Sequence, residues 1–241
     1  MHPTVKAARI AGLIYLSMVL TGPLALIYIP DKLIVRGDAV ATASNFLNHE
    51  SLFRLWIVGD LLTHVIFICL GVTLYHLLNV VSKTWAMLML SFVLVSAAVG
   101  FLNALNTIAA SILFQGADFL GGIDNAQRNA LGMFFVRLHS QGNFINEVFW
   151  GLWLFPFGLL VFRSGFLPRI IGIWLMINCV GWLVLSPIAL FAPVYYGTAF
   201  RFAQPVLFGE LAIMLWLLIK GAKVPAVTPV TASGVVPHHA R

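Results

Sequence analysis

Charge is scarce in this sequence. Only 9% of its 241 residues are Asp, Glu, Lys or Arg, against roughly 25% in soluble domains, while 61% are hydrophobic. That shortage excludes a soluble fold, whose surface could not hide so much apolar area; a lipid bilayer can. Cysteine is scarce too. Cys69 and Cys179 both fall inside apolar runs, and neither sits in a C-x-x-C pair. This excludes a disulfide framework and points to two buried thiols packing as small hydrophobes. The chain has no G-x-S-x-G, no Walker loop and no H-E-x-x-H, so a nucleotide-driven machine is not expected. Its net charge of +6 forms no basic patch. The charges lie at helix ends, which speaks for topology signals and against a nucleic-acid partner.

Long apolar runs dominate what remains. A membrane helix needs about 20 mostly apolar residues, and six stretches qualify: Arg9 to Ile29, Leu52 to Leu78, Trp85 to Phe114, a fourth ending near Phe162 and starting between Asn129 and Phe144, Ile170 to Phe191, and Ala199 to Ile219. The first exceeds signal-peptide length and lacks a small-residue cleavage site, so it reads as a retained helix. The fold class is therefore all-α: a polytopic membrane helix bundle of about six transmembrane helices, with the lipid bilayer as its partner. Residues 1–223 form the transmembrane domain, and the Pro-, Val-, Thr- and Ala-rich tail 224–241 is expected to be disordered.

Lys and Arg counts set the orientation. With the N-terminus inside, the inner segments hold Lys6, Arg9, Lys83, Arg163, Arg169, Lys220, Lys223 and Arg241, eight of fourteen basic residues and no acid. Both termini are thus expected in the cytoplasm. The inner connections are short and the outer ones longer. In the first outer connection Asp38 is a plausible N-cap for a surface helix whose apolar face is Val40, Ala43 and Leu47. In the second, Gly116, Gly121 and Gly122 read as turns and Asp124 as another cap.

Several segments resemble a known family. RSGFLPR (163–169) followed by IIGIWLM (170–176), ARIAGLIYL (8–16), SLFRLWIVGDLL (51–62), Leu138-His139 and GELAIMLWLLIKG (209–221) together, in that order along the chain, are similar to a bacterial family of multi-pass membrane proteins known as domain of unknown function 4386. The resemblance covers nearly all of the chain except the tail. It implies a bacterial cytoplasmic-membrane protein and implies no activity.

Ionisable groups at depth carry the remaining information, because a charge at the centre of a bilayer costs at least ~2.5–3.5 kcal/mol. Asp60 and His64 are four residues apart, so they share one helix face, with Trp56 and Thr63 near it. His139, Asn143 and Glu147 step by four along the fourth span, Asn146 and Trp150 lie close to that stripe, and Arg137 and Gln141 form a neighbouring row. Glu210 lies in the sixth span. The three inward-running helices each put an arginine outside (Arg54, Arg137, Arg201) and an acid deeper (Asp60, Glu147, Glu210). Asn103, at the outer end of the third span, reaches the same layer. The small-residue row Ser96, Gly100, Asn103, Thr107, Ser111 reads as a close-packing helix interface. Below this layer the polar trail stops at FWGLWLFPFGLLVF (149–162), which speaks for a pocket open outward and floored by aromatics.

The expected function is binding of a small polar or anionic ligand in that pocket, with Arg54, Arg137 and Arg201 steering it and Asp60, His64, Asn103, His139, Asn143, Glu147 and Glu210 orienting it. Two alternatives stay open. One is an intramembrane metal-dependent hydrolase on His64, Asp60 and His139, although no two histidines share an i,i+4 step. The other is a proton-coupled secondary transporter using Asp60, Glu147 and Glu210. A haem between His64 and His139 is a weaker reading still. The residues name neither a cofactor nor a catalytic group, and a homo-oligomer stays open.

Overall fold

The structure, a computed structural model, describes residues 3–222; the tail 224–241 lies outside them. The described chain is helical throughout its long segments. α1 (Pro3–Pro23) passes through a π-helical turn (Leu24–Tyr28) into α2 (Ile29–Leu33), followed by α3 (Ala39–Asn48), α4 (Glu50–Leu78), α5 (Lys83–Gln115), α6 (Asn125–Leu152), α7 (Leu154–Arg163), α8 (Arg169–Phe191) and α9 (Pro193–Ile219). Six helices are long and apolar enough to cross a membrane, with α1–α2 and α6–α7 each counting as one. The chain is a multi-pass membrane protein built as a helix bundle.

Local chemistry sets the helix ends. Asp38 accepts a hydrogen bond from the Ala41 N–H, and Asp124 accepts one from the Gln127 N–H, both at 2.8 Å, so both expected N-caps form. α5 stops at Gly116, whose φ of 71° is the left-handed conformation that glycine adopts without strain. The break at Trp153 has a covalent cause. Pro156 has no N–H, so the carbonyl four residues earlier, Leu152, loses its helical donor.

α1 packs on α4 and α9, α4 on α5, α5 on α6 and α7, α6 and α7 on α8, and α8 on α9, closing a circuit of six spans. At the end with the short connections 79–82 and 164–168, the middle of this circuit is filled by aromatics. Trp153 stacks on Phe157 at 5.2 Å and meets Tyr15 at 6.1 Å and Phe67 at 5.2 Å. The apolar stretch 149–162 supplies much of this aromatic filling. α7 and α8 cross closely because Gly158 and Gly172 face each other, each leaving no room for a Cβ beside the other's carbonyl oxygen.

The other end carries the long connections 34–38 and 116–124. Here Phe46 of α3 packs against Phe53, Trp56 and Phe114, a second small core. α5 has 33 residues, about 50 Å of helix, more than a ~30 Å hydrocarbon layer takes up even at 40° of tilt. The excess, with α3 and the start of α6, stands beyond the hydrocarbon as a headpiece.

Three expectations need correction. The fourth span begins at Asn125, earlier than expected, because its polar first turns sit in this headpiece. The buried face of α3 is Thr42, Ala43 and Phe46, while Val40 and Leu47 are exposed; Phe46 takes the inward position because aromatic partners meet it there. Cys69 is exposed on the outside of α4, where hydrocarbon can cover it, and only Cys179 is buried.

Candidate functional site

The deep polar residues do turn inward, as their cost in lipid demands, but the bundle sorts them into several clusters instead of one pocket.

The first cluster joins α4 and α5. Asp60 and His64 are 5% and 6% exposed, and Asp60 Oδ1 lies 3.6 Å from His64 Nε2. That is ion-pair range, longer than a hydrogen bond. The imidazole lies flat against α5 at Gly100, where a Cβ would strike the ring, and Phe101 meets it edge-on at 5.5 Å. Thr63 satisfies its hydroxyl locally on the Gly59 carbonyl.

The second cluster joins α5 and α6 and is fully engaged. Asn103 donates to the His139 carbonyl oxygen at 2.9 Å and to Asn143 Oδ1 at 3.0 Å. Asn106 donates to Asn103 Oδ1. His139 Nδ1 faces the Asn103 carbonyl oxygen at 3.3 Å and the Thr107 hydroxyl at 3.1 Å, and His139 Nε2 faces Asn143 Nδ2 at 3.3 Å. A carbonyl only accepts, so Nδ1 carries the proton and Nε2 accepts from Asn143. Both ring nitrogens are thereby occupied. One turn deeper, Ser96 donates to Asn146 Oδ1 at 2.9 Å while Asn146 donates to the Ser96 carbonyl oxygen. The small-residue row of α5 is thus a helix interface laced with hydrogen bonds.

Two glutamates form the remaining clusters, and they differ. Glu210 of α9 lies about 14 Å above the end of its helix at Ile219, near mid-membrane. Both its oxygens are met by donors, Oε2 by the Tyr15 hydroxyl at 2.7 Å and Oε1 by the Trp182 indole N–H at 3.3 Å. It pairs with these neutral donors from α1 and α8, and not with an arginine or His64. Glu147 of α6 lies about 24 Å from Arg163 along the span and is 3% exposed. Its Oε1 accepts from the Tyr196 hydroxyl at 2.6 Å, and its Oε2 is enclosed with no hydrogen-bond partner. Phe144, one turn back, contacts Tyr196 at 4.9 Å and gives its carbonyl oxygen to the Ser186 hydroxyl at 2.6 Å. Trp150, one turn on, meets Trp182 at 5.5 Å.

The arginines stay out of all these clusters. Arg54 is exposed and pairs with Glu50 at 2.6 Å. Arg137 is exposed, and so is Arg201, which reaches Thr198. Every described Lys and Arg is exposed except Arg128, which is half-buried against Gly116 in the headpiece. Two cavities are evident elsewhere, one of about 220 Å³ lined by Phe46, Phe53, Phe114 and neighbours, and a shallow groove along Leu20 to Lys32. No candidate site residue lines either one. Among the described residues no three His, Cys, Asp or Glu side chains gather as metal ligands; His139 has no free nitrogen to add to Asp60 and His64.

Sequence reasoning missed Tyr15, Trp182 and Tyr196 as partners of the acids. Tyr196 precedes the expected start of the sixth span. Tyr15 left a usable signal, since a phenol in the middle of an apolar run needs a buried acceptor.

A family model described as Domain of unknown function (DUF4386) matches residues 10–221. An uncharacterized protein of Archaeoglobus fulgidus is 32% identical over 171 residues, 71% of this chain and 86% of that one. This relative is archaeal, so it lends no support to the bacterial source implied by the resemblance. No solved structure matches the chain significantly.

Proposed function

The chain belongs to the family described as domain of unknown function 4386, and we propose that it is a membrane-embedded binding module whose ligand contact is Glu147. The observation that carries this reading is the contrast between two carboxylates. Glu210 is solvated by protein donors on both oxygens, as a structural group should be. Glu147 is 3% exposed against a half-buried Glu210, yet one of its oxygens has nothing to accept from. An unsatisfied buried carboxylate oxygen costs free energy, and a bound polar ligand would remove that cost. Tyr196 covers the site from the first turn of α9, so a ligand enters by displacing it. The exposed arginines give an anionic ligand no buried counter-charge, and the ligand is accordingly polar and not anionic. Arg54, Arg137 and Arg201 are left as interfacial residues.

The orientation that goes with this reading puts both termini in the cytoplasm and the headpiece outside a cell membrane, following the basic residues at the short-connection end. Thermal-shift measurements on the purified chain with a panel of small polar molecules test the binding role. At least one shift is expected to disappear in Glu147→Gln. If every shift found in the wild type persists unchanged in that variant, the role is wrong.

A second reading, proton-coupled transport, has one observation in its favour: Glu147 and Glu210 lie at two depths, with Trp150 and Trp182 in contact between them. The aromatic floor below Glu210 counts against a continuous path. Proteoliposomes that acidify when given a gradient of a bound solute would favour it over simple binding.

A further inference from the structure

We propose that Glu147 binds a small organic cation, an alkylammonium; this rests on the binding reading above and narrows it to one charge class. Glu147 is fully buried, and no buried Lys or Arg occurs among the described residues to neutralise it. His64 is drawn to Asp60, and both nitrogens of His139 are taken. For the ionised carboxylate the ligand is the available source of positive charge, and an anion would meet repulsion.

Aromatic rings surround Glu147. Phe144 and Trp150 flank Glu147 at three residues either side on α6, hence on nearly its own face. Tyr196 contacts Phe144 and stacks near Phe200 at 5.9 Å, and Trp182 contacts Trp150. Aromatic faces attract cations, and alkylated ammonium groups are the ligands that such surroundings suit. One oxygen for an N–H or N-methyl group, with ring faces for the alkyl substituents, matches an alkylammonium.

A metal ion needs several oxygen or nitrogen ligands, and a single carboxylate with a phenol beside it falls short of that number. An alkylammonium needs only the one carboxylate, and its hydrocarbon part gains from leaving water.

Calorimetric titration of the full-length chain in lipid nanodiscs tests this, using ethylammonium and tetramethylammonium against tert-butanol as the neutral probe and acetate as the anionic one. Saturable binding of an ammonium probe is expected, weakened at least tenfold by Glu147→Gln. Tyr196→Phe, which keeps the ring and removes the competing hydroxyl, is expected to bind as tightly as the wild type or more so. If tert-butanol or acetate binds in a Glu147-dependent way and neither ammonium does, the cation assignment is overturned while the binding module stands. If no probe of any charge responds to Glu147→Gln, both are overturned. Should that variant not fold, Trp150→Leu replaces it: a several-fold loss of ammonium affinity supports the proposal, and an unchanged affinity overturns it.

Discussion

Glu147 and Glu210 are both glutamates on membrane helices, each accepting from a tyrosine hydroxyl, yet replacing each by glutamine should have opposite results. Glutamine at 210 turns an amide N–H₂ toward Tyr15 or Trp182, both of which donate, and a lost or reversed hydrogen bond at such a site costs about 1–3 kcal/mol. Glutamine at 147 keeps an acceptor for Tyr196 and removes a charge whose second oxygen is unmet, so stability should hold or rise. Chemical unfolding of the two variants in detergent checks the order; a Glu147→Gln protein less stable than Glu210→Gln would contradict it. That these acids turn toward protein partners was legible from the sequence, because lipid punishes exposed charge. Their partners were not. Tyr15 and Glu210 are 195 positions apart, Glu147 and Tyr196 are 49, and no local periodicity reports a contact made by helices meeting across a bundle.

Helix spans two, three and five could be read nearly to the residue, since each is one apolar run between polar turns. The fourth could not. Its first turns are polar because they belong to the headpiece, and Pro156 breaks it at Trp153; a window of average hydrophobicity blurs both features. Packing between elements depends on small residues, of which the sequence marked Gly100 as an interface position but not Gly158 or Gly172. Gly158→Ala should push α7 away from the Gly172 carbonyl of α8, costing about 1–3 kcal/mol as overpacking does and lowering the melting temperature. The same change at Gly100 would drive a methyl into the His64 imidazole and should disturb the α4–α5 seam comparably. An unchanged melting temperature in both variants would mean that these crossings are looser than described.

For the molecule as a whole, the single outward pocket expected from sequence becomes four separate polar clusters inside a ring of six spans, because most of the polar groups meet a donor or acceptor on an adjacent helix, while Asp60 and His64 meet along α4. What survives of that expectation is that the end with the short connections is filled by apolar and aromatic side chains, while the polar clusters lie nearer the headpiece. The orientation follows from charge alone and is open to a simple check. A reporter that matures only in the cytoplasm should be active when fused after Lys220, and one that matures only outside should be active when inserted between Gly121 and Gly122 in the α5–α6 connection. The reverse pattern would invert the bundle. Phe144, Trp150, Trp182 and Tyr196, the rings around Glu147, all come from one chain.

An experimental density map of the full chain in a lipid nanodisc, recorded with and without tetramethylammonium, examines Glu147 most directly. The expected map with the cation has added density beside Oε2, within about 6 Å of the ring centres of Trp150 and a displaced Tyr196. Two maps alike, with the Tyr196 hydroxyl still seated on Oε1 and protein atoms closing over Oε2, would contradict the account and leave Glu147 as one more structural acid.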